Sequence, residues 1–111
     1  MSISGIAKSL AKELIHTNEY QVMSKKKHKL YSHPQIGEHA KKYEAKQLNI
    51  MKMKISSVKR QSLLADLSKE YEYLISTSEM KEYMDSITSF QKKTLSIFQS
   101  LNTEINKLIT S

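Results

Sequence analysis

The sequence predicts an all-α protein, an antiparallel bundle of four to five helices ending in a long C-terminal helix, and three observations carry that prediction. Glycine occurs only at Gly5 and Gly37 and proline only at Pro34, so the punctuation a sheet protein needs at its turns is missing. Apolar residues recur at three- and four-residue steps along nearly the whole chain. Hydrophobic residues make up 39% and charged residues 26%, which suits helices with broad wet faces and a core completed in part by a partner. At 111 residues, a single helical domain over 1–111 is expected.

The helices follow in order. Ile3, Ile6, Ala7, Leu10, Ala11, Leu14 and Ile15 fall on one stripe and predict a helix over 4–16. Asn18 with Gln21 has the spacing of a capping pair and opens a helix over 19–31, carrying Tyr20, Met23 and Leu30 inward. Ser32 with Gln35 repeats that spacing, Pro34 falls in a first turn where its missing N–H costs nothing, and Tyr31 with Ile36 forms the flanking apolar staple. The helix they open, over 33–55, turns Ile36, Ala40, Tyr43, Gln47, Ile50 and Met51 to one side. Ser56 and Ser57 end it and cap a helix over 57–75, lined by Leu63, Leu64, Leu67, Tyr71, Leu74 and Ile75. Ser76 with Glu79 then opens the last helix, over 77–110.

In that helix Met80, Met84, Ile87, Gln91, Thr94, Phe98, Leu101, Ile105 and Leu108 step by four and three in alternation, with Tyr83, Phe90, Ile97 and Ile109 widening the seam. Such a helix is about 50 Å long at 1.5 Å per residue, whereas a compact chain of this size spans about 34 Å. The overshooting stripe needs cover, and a second copy is the simplest source of it. We therefore expect a homodimer or higher oligomer, with Met80 to Phe90 inside the monomer and Phe98, Leu101, Ile105, Leu108 and Ile109 at the oligomer contact. Leu14, Ile15, Thr17 and Glu19 also recur as Leu74, Ile75, Thr77 and Glu79, at a constant offset.

Charge is divided unevenly. Residues 1–60 hold 13 Lys and Arg against 4 Asp and Glu, and residues 61–111 hold 5 against 7. Nucleic acid, an acidic protein or an anionic membrane surface would all be drawn to the first half. The candidate contacts for an anionic partner are Lys25, Lys26, Lys27, Lys29, Lys41, Lys42 and Lys46. Arg60 is the single arginine, so bidentate recognition of bases or phosphates has little to work with.

Catalytic chemistry finds few footholds. The absence of cysteine excludes disulfides, thiolate metal sites and a thiol nucleophile. Glu13 and His16 have the spacing that serves di-metal bundles, but the second such motif those centres require is missing. His28, His33 and His39 do not share a face one turn apart, and the carboxylate pairs Asp66/Glu70 and Glu82/Asp85 suit plain wet faces. Two glycines cannot build a phosphate-cradling loop or a nucleophile elbow. No signal-peptide core or eighteen-residue apolar run occurs, so a cytoplasmic location without a transmembrane segment is expected, and neither cofactor nor metal is.

Ala7-x-x-Leu10-Ala11 with Ile15-x-x-Asn18-Glu19-Tyr20, then His33-Pro34 opening a helix, Gln47 within it, and Tyr83 with Phe90 in the last helix, resemble the YlbF/YmcA family. These are small helical bacterial proteins associated with control of competence, sporulation and biofilm formation. The resemblance spans nearly the whole chain and implies a helical oligomer acting as an adaptor, some members joining a complex that directs an RNA-processing endonuclease. Some members also hold iron–sulfur clusters through cysteines, which this chain lacks. The lysine-rich half and a Ser76 to Glu79 junction without proline are further departures. The expectation is a non-enzymatic regulatory or adaptor protein that works through other regulatory proteins and its own copies. The alternative is a sequence-nonspecific RNA- or DNA-binding protein using the lysine-rich half.

Overall fold

The computed structural model describes residues 2–110, and among them there are helices and short junctions but no strand. The helices are α1 (Ile3–Ile15), α2 (Asn18–Tyr31), α3 (Gly37–Lys52), α4 (Ser57–Glu70), α5 (Glu72–Ile75) and α6 (Ser78–Thr110). Helices α1, α2 and α6 lie within about one residue of the expected spans, and α3 is shorter at both ends than the expected 33–55. The additional helix arises because the expected 57–75 helix is broken at Tyr71, whose backbone leaves the helical region at φ −109°, ψ 25°. The rings of Tyr71 and Tyr73 stack with centroids 6.2 Å apart, and residues two apart on a continuous helix point away from each other. The break is what puts both rings on one side.

The junctions show which groups satisfy the open ends of the helices. At α1–α2 the Thr17 hydroxyl accepts from Tyr20 N–H at 3.2 Å and donates to the Leu14 carbonyl at 2.7 Å. At α5–α6 Thr77 makes the same two bonds, to Met80 N–H and the Leu74 carbonyl, at the same lengths. The repeated Leu, Ile, Thr, Glu pattern is thus one local device used twice, in which a single hydroxyl closes one helix and opens the next. It also corrects the expected caps by one residue. Gln21 instead sends its amide back to the Ile15 carbonyl, and the Ser76 hydroxyl bonds the Glu72 carbonyl.

The expected capping pair of Ser32 and Gln35 does not form either. Ser32 donates back to the His28 carbonyl, and the His33 ring accepts from Gln35 N–H and Ile36 N–H through Nδ1. Residues 34–36 are a turn, so α3 starts at Gly37, four residues later than expected. A side chain does not fit at Gly37, because its Cβ would overlap the carbonyl oxygen of Tyr31. The far end of α3 stops at Lys52, with Met53 extended. There Arg60 Nη2 donates to the Met53 carbonyl at 2.7 Å, and Ser56 caps α4 through Lys59 N–H as expected.

The chain divides into two compact units, Lys26–Tyr83 and Met1–Lys25 with Met84–Ser111. In the first, α3 and α4 form an antiparallel hairpin, since Tyr43 meets Tyr71, Lys46 meets Glu70 and Met53 meets Arg60 in opposite sequence directions. Leu30, Ala40, Tyr43, Ile50, Leu67, Tyr71, Leu74, Met80 and Tyr83 fill its core, with Leu30 and Leu74 fully buried. Each of those two leucines contributes about 2–3 kcal/mol by burial. Met51, expected inward with Ile50, is 55% exposed. One residue along a helix is a turn of about 100°, enough to leave the buried side.

The second unit contrasts with the first. In it α2 and α6 meet through an edge-to-face pair of Tyr20 and Phe90, ring centroids 5.5 Å apart. Every apolar side chain counted above as core belongs to 26–83, and none belongs to this unit. Helix α1 contains no buried residue, although its stripe of Ile3, Ile6, Leu10 and Leu14 is strongly amphipathic.

Candidate protein-interaction surfaces

The exposed apolar residues concentrate on two helices. On α6 Phe98, Leu101 and Ile105 are 43–47% exposed, and Leu108 and Ile109 are more open still. The same helix buries Met80 and Tyr83 at 4% each, so exposure rises along it toward the C-terminus. On α1 Ile3, Ile6 and Ile15 are exposed. Isolated exposed leucines need no explanation, whereas these run along one helical seam. Among the described residues, no helix is long and apolar enough to cross a membrane.

Three of the lysines named from sequence make surface ion pairs. Lys26 pairs with Glu82 at 3.1 Å, Lys41 with Glu38 at 3.2 Å and Lys46 with Glu70 at 3.0 Å. The bond from Lys26 holds the Glu82 carboxyl below its usual range. Lys46 also lies over the Tyr71 ring, and its ammonium is raised above its ordinary value by its contacts with Tyr71 and Glu70. Lys27 lies over the Tyr31 ring. Lys25, Lys29 and Lys42 are exposed to solvent.

A carboxylate ties the first unit together. Glu44 of α3 accepts hydrogen bonds from the hydroxyls of Tyr31 on α2 and Tyr83 on α6, the latter at 3.1 Å. Burial, reinforced by the Glu44 charge, pushes both tyrosine hydroxyls well above the usual tyrosine range. Sequence inspection marked Tyr83 but missed Glu44, because a lone glutamate on a lysine-rich helix has the pattern of a wet face. Two of the histidines have structural partners as well. His33 caps its turn, and His39 Nδ1 lies 2.8 Å from the Tyr73 hydroxyl.

The family model described as control of competence regulator ComK, YlbF/YmcA, matches residues 3–110. The chain belongs to the YlbF/YmcA family. No curated protein and no solved structure matches it. The residues that resembled the YlbF/YmcA pattern now have places. Ile15 through Tyr20 form the threonine-capped α1–α2 junction, His33-Pro34 is the turn before α3, Tyr83 is in the core and Phe90 packs on Tyr20. Gln47 is exposed on α3 and lines a groove there. The donor set for a cysteine-held iron–sulfur cluster is missing from this member. Among the described residues, no group of three or more His, Asp or Glu is placed to hold a metal.

Proposed function

We propose that this YlbF/YmcA protein is a cytoplasmic regulatory adaptor, without catalytic activity of its own, which self-associates through α1 and the C-terminal half of α6 and acts by joining other regulatory proteins. The observation that carries the reading is the contrast between the units. One has a closed core, and the other leaves Ile3, Ile6, Phe98, Leu101, Ile105 and Leu108 exposed, with no buried apolar side chain among its described residues. Burying six such residues would contribute on the order of 10 kcal/mol before the cost of association. Control of development or of mRNA processing is the setting the family implies.

The engagement of Arg60 with Met53, and of Lys26 and Lys46 with carboxylates of other helices, favours protein partners over the nucleic-acid alternative. Affinity capture of the tagged protein from bacterial lysate, with and without nuclease, separates the two. A defined protein set that survives nuclease is expected. Nucleic acid alone, released as salt rises, would contradict the adaptor reading.

A further inference from the structure

Helix α3 carries two apolar stripes, and only one of them faces the core. Ala40, Tyr43 and Ile50 are buried. A second stripe steps from Lys41 through Ala45 and Leu48 to Met51, and its Leu48 and Met51 are each 55% exposed. The end of α2 brings Lys27 and Tyr31 alongside, so a groove of about 460 Å³ lies between the two helices, lined by Lys27, Tyr31, Lys41, Glu44, Leu48 and Met51 among others. That volume lies in the range of established binding sites.

The groove is chemically divided. At one end the Lys27 and Lys41 ammoniums stand 5.2 and 5.8 Å from the centroid of the same Tyr31 ring. The Glu44 carboxylate within the groove is already engaged by two tyrosine hydroxyls. The Lys41 pair with Glu38 is exposed and of the kind that contributes little, so it exchanges readily for a better partner. At the other end Leu48 and Met51 offer bare apolar surface, and methionine adapts its shape to what it meets.

We propose that this groove is a docking site for an acidic amphipathic helix of a partner protein, with a carboxylate for Lys27 and Lys41 and apolar side chains further along for Leu48 and Met51. From Lys41 to Met51 α3 rises about 15 Å, close to the roughly 16 Å covered by anchors at i, i+7 and i+11 on a helix laid into a groove. A second copy of this chain does not fit. Its segment from Glu79 to Asp85 has Met80 and Tyr83 buried and Glu82 held by Lys26. Of its exposed apolar stretches, α1 carries Lys8 and Lys12 against Glu13, and the part of α6 beyond Asp85 carries Lys92, Lys93 and Lys107 against Glu104. Nucleic acid would satisfy the lysines and leave Leu48 and Met51 bare. The site belongs wholly to the 26–83 unit and does not rest on self-association through α1 and α6.

The test uses the full chain and a fluorescein-labelled synthetic helical peptide bearing Glu, Leu and Leu at i, i+7 and i+11, read by fluorescence anisotropy. Saturable binding is expected, weakened about tenfold or more by Lys27→Glu with Lys41→Glu, and about fivefold or more by Leu48→Ala with Met51→Ala. All four positions border the groove at the surface, and circular dichroism checks that the variants keep their helix content. Lys54→Glu, away from the groove, should change affinity by less than about twofold. A peptide of the same charge with Ser for Leu should bind no better than the groove variants. Absence of saturable binding, equal weakening by Lys54→Glu, or displacement of the peptide by a single-stranded oligonucleotide would each overturn the proposal. Leu101→Glu with Ile105→Glu, which addresses self-association, should leave peptide binding intact, and loss of binding there would overturn the placement in the 26–83 unit.

Discussion

Replacing Glu44 with alanine removes the acceptor shared by the Tyr31 and Tyr83 hydroxyls. Hydrogen bonds to a charged group contribute about 1.5–3 kcal/mol each when both partners are shielded from water. Tyr83 is only 4% exposed and loses most of that amount, whereas Tyr31 is half-buried and regains part of it from solvent. The expected destabilisation is about 2–4 kcal/mol. Tyr83→Phe removes one of the two bonds and should cost about 1–2 kcal/mol, with a coupling to Glu44→Ala of at least about 1 kcal/mol in a double-mutant cycle. Urea unfolding followed by circular dichroism, at one fixed protein concentration so that assembly does not alter the reference, measures all four corners. A Glu44→Ala cost below about 0.5 kcal/mol, or strictly additive single changes, would refute the claim that this carboxylate ties α2, α3 and α6 together.

The same tyrosines set an alkaline limit. Their hydroxyls titrate higher in the fold than in the unfolded chain, so their contribution is fully present below the ordinary tyrosine value of about 10 and is lost as pH rises through the folded value. Stability should therefore fall above about pH 10, less steeply in Tyr83→Phe, as seen in melting temperature against pH. Gly37→Ala forces a methyl group against the Tyr31 carbonyl and should cost about 1–3 kcal/mol, with a lower urea midpoint. Thr77→Val keeps the shape but removes both junction bonds, and should cost about 1–2 kcal/mol; Thr17→Val tests the equivalent junction by the same unfolding curves.

Helical periodicity was legible because each stripe repeats over several turns, and the junctions were legible because few residues cap well. The choice among adjacent capping residues was not. Thr17 wins over Asn18, and Thr77 over Ser76, because each threonine hydroxyl both accepts from the helix ahead and donates to the helix behind, a geometry that spacing alone does not reveal. The break at Tyr71 accompanies a local stack on Tyr73 and an edge-to-face contact with Tyr43 on α3, and periodicity reveals neither. The long seam of α6 was visible as a stripe, and its C-terminal residues Phe98, Leu101, Ile105, Leu108 and Ile109 are exposed. The groove on α3 was missed although its signal was present. Lys41, Ala45, Leu48 and Met51 keep helical spacing beside the core stripe, and the assignment of Met51 to the core hid them.

Sedimentation of the full chain over a range of micromolar concentrations tests the central claim, that the apolar faces of α1 and α6 are covered by further copies. The wild-type protein should sediment at twice the 12.8 kDa chain mass or more, and Leu101→Glu with Ile105→Glu should bring it to 12.8 kDa with helix content retained. A wild-type protein that sediments as a 12.8 kDa monomer throughout that range would contradict the account.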